Sequence, residues 1–273
     1  MISAKVIADS ISMDGARITT FELIYPRFIH GEVMTHRMFS RNAMSSRAIP
    51  VAKVISQVEL NPAMPVHWGA NQPGMQANVE LDTQTAELVR QAWLSAAEWA
   101  VHHARVMVDL GAHKQIVNRV LEPFQWMRTI VTATEWSNFF ALRAHPDAQP
   151  EFQVLARAML TSLTSSAIVR GGQYGESSWH LPYVSSDERK NLPGDLLPKL
   201  SAARCARVSY LTHDGEKPDV EKDLSLFNRL VGSVPLHASP IEHQACPAAT
   251  ATSRSNNFIG WKQYRDIYEN GML

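Results

Sequence analysis

The chain has 273 residues, of which 45% are hydrophobic and 19% charged, enough for one large domain or two small ones with a sizeable core. Lysine plus arginine and aspartate plus glutamate number 26 each, so the formal net charge is zero. That balance gives no sign of a nucleic-acid or membrane surface, and any anionic ligand must be met by local clusters.

Membrane insertion, secretion and a disulfide framework are also disfavoured. No run of 18 apolar residues predicts a membrane span, and the opening residues MISAKVIADS contain no apolar core of a signal peptide. The two cysteines, Cys205 and Cys246, lie far apart and lack metal-ligand spacing, which fits a reducing cytosol. We therefore expect a cytoplasmic protein, in a bacterium or a virus-infected host.

Strand and helix signals alternate along the chain. The β-branched and aromatic segment 18–25 predicts a strand, and 28–38 a short helix. Pro50 predicts a boundary, because proline disfavours helical geometry in the residue before it. Residues 60–80 are rich in turn formers and predict a loop long enough to cover a site.

The strongest helix signal spans residues 84–110, with Gly111 as its C-cap. Its apolar stripe consists of Val89, Trp93, Ala96, Ala100, Ala104, Met107 and Leu110. The later predictions are a strand at 126–134, helices at 136–144 and 149–169, a connection at 172–197, helices at 198–207 and 219–231, and an ambiguous segment at 241–252. Together they predict a helix-rich α+β fold in a single domain, 1–273.

Polar side chains gather in the stretch THRMFSRNAMSSR, residues 35–47. Its arginines offer planar forks that match phosphates, and its serines offer hydroxyl donors. A solvated loop with capping serines fits the spacing equally well.

In a second cluster, 133–152, Asn138 and Arg143 lie among Phe139, Phe140 and Leu142. Taken alone, that cluster is better explained as a surface amide and a salt-bridged arginine than as part of a functional site.

A third cluster joins residues 202–210 to 237–243, where His237 and His243 flank a glutamate. Pro240 interrupts any helix that would align the two histidines and no third ligand is suitably spaced, so we predict no metal site. His102 and His103 are expected on the long helix without a chemical role. The sequence also lacks a nucleophile elbow, a P-loop and a dinucleotide-binding glycine motif.

The three clusters together resemble the flavin-dependent thymidylate synthases, or thymidylate synthase complementing proteins. Residues 35–47 match six of the seven fixed positions of that family's R-H-R-x-x-S-x-N-x-x-S-x-R signature. Further family blocks are approximated by residues 118–123, by Asn138, Leu142 and Arg143 with Ala148, Gln149 and Glu151, by 206–209 and by 237–243. The last two blocks come first in the family, so the chain resembles a circular permutation. Such a permutation predicts that the two termini lie close together.

The resemblance implies an α+β fold around a curved, mainly antiparallel sheet. It also implies transfer of a one-carbon unit from methylenetetrahydrofolate to C5 of dUMP, giving dTMP. FAD would be the cofactor, NADPH the reductant, and a homotetramer with shared sites the assembly. No cysteine nucleophile is needed in this chemistry, because the cofactor performs the difficult step.

The resemblance also implies residue roles. Ser45 and Arg47 would bind the nucleotide phosphate, and Arg119 would clamp the nucleotide from another subunit. Arg143 would bind and polarise the pyrimidine, which makes Arg143 and Ser45 the catalytic candidates. The implied flavin contacts are His36, Arg37, Asn138, Ser209 and His243.

Five positions depart from the family pattern. Thr35 replaces the first arginine of R-H-R, which removes one flavin-contacting charge, and Thr134 stands where an arginine is common. Ala43 and Ala48 replace a glutamate and a tyrosine beside Ser45, and Asp147 a common histidine. Two alternatives therefore stay open: C5 hydroxymethylation or methylation of another pyrimidine nucleotide, and a non-catalytic flavin- or nucleotide-binding protein.

Overall fold

A five-stranded sheet organises the computed structural model, which describes residues 1–170, 179–210 and 219–271. The strands are β1 (Ser3–Ile11), β2 (Arg17–Pro26), β3 (Ser40–Ala43), β4 (Trp126–Ala133), β5 (Val169–Arg170), β6 (Ala245–Pro247), β7 (Arg254–Ser255), β8 (Phe258–Ile259) and β9 (Trp261–Gln263). The sheet order is β3-β4-β2-β1-β5, and only the β1–β5 pair is parallel.

Helices cover both faces of this sheet. They are α1 (His30–Val33), α2 (Val51–Leu60), α3 (Thr83–Asp109), α4 (Lys114–Val120), α5 (Ser137–Arg143), α6 (Pro150–Thr164), α7 (Ser186–Asn191), α8 (Leu197–Arg207), α9 (Val220–Val231) and α10 (Tyr264–Glu269). The predicted helix-rich α+β class with a mainly antiparallel sheet is confirmed. Within the described residues, no helix is long and apolar enough to cross a bilayer.

The two sheet faces serve different layers. Phe21, Leu23 and Val131 point into the main core, which also contains buried residues of α3 and α6. On the opposite face, Ile130 packs against Cys205 of α8. The alternation follows from the two-residue period of a strand, since neighbouring side chains must face opposite layers.

Two predicted helices are shorter than expected. Only the single α-helical turn α1 forms within 28–38, because both the backbone N–H and the hydroxyl of Thr35 donate to the carbonyl of Glu32 and close a turn there. The helix predicted at 149–169 ends at Thr164, where the hydroxyls of Thr164 and Ser165 both donate to the carbonyl of Thr161.

The stripe predicted for α3 is partly displaced. Ala104 is fully buried as expected, but Val89 and Leu110 are exposed, and Ala97 and Val101 take the buried positions. A second row of apolar side chains on α3 faces outward and contains Leu88, Trp99 and Val106. Just after the helix, Gly111 has φ +80°, the left-handed conformation of a C-cap glycine.

Several predicted elements lie where the sequence places them, namely the strands at 18–25 and 126–134, the loop at 60–80, and the helices at 136–144, 198–207 and 219–231. Strand β1 and helices α2 and α4 were not predicted. Part of the predicted connection at 172–197 lies outside the described residues, and α7 forms in the rest. The single domain, the permuted chain order and the closeness of the termini stay predictions.

Candidate functional site

The loop before β3 places His36 against Arg143 at the end of α5. The Nε of Arg143 donates to Nε2 of His36 over 3.0 Å. The His36 ring also meets Phe139 edge to face, with centroids 4.9 Å apart. Burial, together with the positive charges of Arg143 and Arg41, lowers the pKa of His36 to about 4. His36 is therefore neutral near pH 7 and can accept this hydrogen bond.

The guanidinium of Arg143 is also held from its flat side. Its Cζ lies 4.5 Å from the ring centroid of Phe152, a cation–π contact. Among the described residues it forms no ion pair. The two terminal amino groups of the fork thus remain available to bond a planar oxygen-bearing ligand.

A cavity of about 540 Å³ opens beside this pair. Three predicted flavin contacts, His36, Arg37 and Asn138, line it together. The sequence interpretation missed two further charged residues of the lining, Glu135 and Arg254. Arg254 comes from β7, more than 200 residues along the chain from Arg37. Nothing in the sequence indicates that proximity, because only the folded hairpin brings the C-terminal part to this cavity.

The donor set of the cavity fits a flavin nucleotide. Two guanidinium groups suit phosphate oxygens, while the Asn138 amide and neutral imidazole suit polar ring atoms. Phe39 and Phe139 add apolar surface to the same lining. The residues present therefore match the cofactor that the sequence resemblance implies.

A second group of predicted residues gathers at the other end of β3. The backbone N–H of Ser45 donates to the carbonyl of Ser209 over 3.1 Å. Asn118 of α4 holds the following turn, since its Nδ2 donates to the carbonyls of Ser46 and Ile49 at 2.7 and 3.0 Å. Arg47 is exposed on this turn. The turn is thus fixed while its arginine projects outward.

Arg119 approaches this turn through a shared carboxylate. Its Nη1 lies 2.8 Å from Oε1 of Glu122, and the hydroxyl of Ser46 donates to the same oxygen over 2.9 Å. Arg27 lies 2.8 Å from that oxygen as well. The predicted nucleotide ligands Ser45, Arg47 and Arg119 therefore lie in one region of the protomer.

The two groups are separated along β3 within one protomer. His36 precedes the strand and Ser45 follows it, so the strand's four residues, about 13 Å, lie between them. Beside the Ser45 turn, a mostly apolar cavity of about 220 Å³ is lined by Met44, Ile49 and the cationic residues Lys53 and Arg128. The sequence interpretation did not select these cations.

His243 lies at the end of a buried hydrogen-bond chain that crosses the sheet. Its Nδ1 is 2.8 Å from the hydroxyl of Thr132, which is 2.7 Å from that of Thr20. The Thr20 hydroxyl is 2.7 Å from Nε2 of His180, whose Nδ1 is 2.9 Å from the Ser10 hydroxyl. Nε2 of His243 is buried and has no hydrogen-bond partner among the described residues.

Burial lowers the pKa of both His180 and His243 to about 3, so both rings are neutral. His237 is exposed, unlike the fully buried His243, so the two histidines face different surroundings. No group of three or more metal-binding side chains occurs in the described part of the chain.

Neither cysteine has the environment of a nucleophile. Cys205 is fully buried beside Gln244, and burial raises the pKa of its thiol. Burial also raises the pKa of Cys246. Since the thiolate is the reactive form, this chain holds no activated cysteine.

The solved structures that share this fold include UMP/dUMP methylase PolB from Streptomyces cacaoi bound with 5-Br UMP, and the same protein bound with 5-Br dUMP. The first has a TM-score of 0.50 and 19% identity, covering 60% of this chain and 89% of that chain. The second has a TM-score of 0.50 and 17% identity, covering 60% and 90%. A comparison with curated proteins finds no match.

A family model described as thymidylate synthase complementing protein matches residues 17–167, more than half of the chain. This chain belongs to that family. The matched range includes His36, Ser45 and Arg143, whereas Ser209 and His243 follow it.

Proposed function

We propose that this protein transfers a one-carbon unit from methylenetetrahydrofolate to C5 of dUMP, giving dTMP, with bound FAD and with NADPH as reductant. The observation that carries the proposal is the hydrogen bond from Arg143 to His36, which lines a cavity together with Arg37 and Asn138, in a chain of this family. FAD, when bound, supplies the redox chemistry of the transfer.

Arg143 is the residue proposed to hold the pyrimidine. His36 occupies its Nε and Phe152 supports its flat side, so the fork is preorganised before a ligand arrives. Its terminal amino groups would donate to a pyrimidine oxygen and favour electron density at C5. Such fixed donors act through positioning and electrostatics.

Ser45 and Arg47 are proposed to bind the nucleotide phosphate, with Arg119 as a further clamp. Ser45 and Arg47 follow β3, whereas His36, the partner of Arg143, precedes it. This separation supports a site completed by a second subunit, as in the homotetramer expected for the family. His36, Arg37, Asn138, Ser209 and His243 are the proposed flavin contacts. For His243, the buried Nε2 without a partner among the described residues supports this role, because an unsatisfied buried polar atom is costly.

A second candidate is the same C5 chemistry on another pyrimidine nucleotide, or with a hydroxymethyl product. The replacement of a family glutamate and tyrosine by Ala43 and Ala48 beside Ser45 favours this second candidate. It is also supported by the structural neighbour, which is a UMP/dUMP methylase. The test incubates the protein with FAD, NADPH and methylenetetrahydrofolate and with dUMP, UMP or dCMP, then measures the product mass. A methyl increment on dUMP supports the proposal. Flavin binding without product on any nucleotide identifies a non-catalytic binder and contradicts it.

A further inference from the structure

Arg254 lies at a cavity whose other lining departs from the family pattern. The cavity before β3 is lined by Thr35, which stands where the family has an arginine, and by Arg254 from the C-terminal hairpin β7–β8. Arg254 follows the range that the family model matches, and it also lies outside the family blocks at 206–209 and 237–243. The family pattern therefore does not assign it a role.

The hairpin is docked on both segments that lack a family arginine. On the first segment, Asn257 Nδ2 donates to the carbonyl of Met38 over 3.0 Å. On the second, the backbone N–H of Ile259 donates to the hydroxyl of Thr134 over 3.0 Å. An arginine at position 134 would remove this acceptor. Threonine there therefore permits the very contact that brings the hairpin to the cavity.

The hairpin is also fixed by contacts at Phe258 and at Gly260, which follows it. Phe258 is fully buried, and Gly260 has φ +74° with its backbone close to Ala16. A Cβ at Gly260 would lie 2.4 Å from the Ala16 Cβ, a separation that real side chains do not adopt. The backbone of Arg254, which pairs with Ile259, is therefore held in a defined position while its side chain is exposed.

Charge at the cavity favours an anionic ligand group. Arg37 and Arg254 contribute two positive charges and Glu135 one negative charge, while His36 is neutral. Neither arginine forms an ion pair within the described ranges. Guanidinium groups bind phosphate oxygens through paired hydrogen bonds, so the pair matches the phosphate portion of a nucleotide.

We propose that Arg254 binds the phosphate portion of the flavin nucleotide and supplies the positive charge that Thr35 and Thr134 do not provide. The inference rests on the proposed function, because it takes FAD as the ligand. It makes the C-terminal hairpin part of the cofactor site.

The test measures binding of FAD and of riboflavin to apoprotein by quenching of flavin fluorescence. Arg254→Ala is expected to weaken FAD binding about tenfold to hundredfold, the range for loss of a charged hydrogen bond. Riboflavin lacks phosphate and should bind both proteins equally. Arg229→Ala, which removes an exposed arginine of α9, is the matched control and should bind FAD as the wild type does.

Restoration of charge gives a readout that a structural role would not produce. In the Arg254→Ala background, Thr35→Arg is expected to recover FAD affinity, and Arg254→Lys is expected to retain part of it. Thermal melting checks that the variants are folded. Wild-type FAD affinity in folded Arg254→Ala would overturn this inference alone. Failure of the wild-type protein to bind FAD would overturn the proposed function and this inference with it.

Discussion

Arg143 and His36 hold one another through a single hydrogen bond of 3.0 Å from Nε to Nε2. The bond exists only while Nε2 of His36 carries no proton, since an arginine always donates. The lowered pKa of His36, about 4, therefore keeps the ring neutral and preserves the bond that positions Arg143. It joins a proposed flavin contact to the proposed pyrimidine ligand.

Replacement of Arg143 separates nucleotide chemistry from flavin binding. Arg143→Ala is expected to abolish product formation and to retain FAD, because the charge that polarises the pyrimidine is lost while Arg37 and Asn138 remain at the cavity. The measurements are product yield by mass spectrometry and the flavin absorbance of the purified protein. Near-normal turnover in this variant would remove Arg143 from the mechanism.

Replacement of Arg47 should act on nucleotide binding. Arg47→Ala is expected to weaken dUMP binding about tenfold to hundredfold, because an exposed guanidinium on the turn held by Asn118 would no longer bind the phosphate. Calorimetric titration with dUMP and with deoxyuridine measures the effect, which should vanish for the nucleoside. Arg90→Ala, on the exposed side of α3, is the matched control. An equal loss for nucleotide and nucleoside would contradict the phosphate role.

Acid should destabilise the fold in a defined range. Burial is the main cause that lowers the pKa of His30 and His36 to about 4 and of His180 and His243 to about 3. The unfolded chain therefore binds more protons than the folded one below about pH 6.5, and stability falls as pH decreases from there toward 4. Near pH 5 unfolding should therefore take up about four protons at these four imidazoles, and this number sets the slope of the unfolding free energy against pH.

Denaturant unfolding at a series of pH values measures this slope. His30→Gln should reduce it by about one proton, because it removes one of the four imidazoles with a lowered pKa. His102→Gln, which removes an exposed imidazole of α3, is the matched control. If His30→Gln and His102→Gln change this slope equally, burial of His30 is not the cause of the pH dependence.

The exposed apolar row of α3 is expected to form part of the interface of the proposed homotetramer. Trp99 is 61% exposed and Leu88 59% exposed in the protomer. Trp99→Glu is expected to convert the proposed homotetramer into smaller species, because a carboxylate buried at an interface is costly. Size-exclusion chromatography with light scattering measures the change. Met75→Glu, in the exposed loop before α3, is the control, and an unchanged assembly in Trp99→Glu would place the interface elsewhere.

The fold class and the clusters at 35–47 and 133–152 were predictable, because local spacing carries β-strand and helix periods and short motifs. The early end of α6 was not, because a serine or threonine hydroxyl can either bond to a carbonyl of the preceding turn or point to solvent, and the residue type alone does not decide between them. Arg254 could not be assigned either. Its place at the cavity depends on contacts from Asn257 to Met38 and from Ile259 to Thr134, which join distant parts of the chain.

The hydrogen-bond chain from His243 to Ser10 imposes a constraint on two rings at once. Each of its inner bonds needs one hydrogen, and Thr132 and Thr20 supply only two for the three bonds between the histidines. The third must come from one ring, so neutral His243 and His180 always carry the same tautomer. A ligand atom that selects donor or acceptor behaviour at Nε2 of His243 thereby also decides whether the hydroxyl of Ser10, on the far strand, donates or accepts its hydrogen bond.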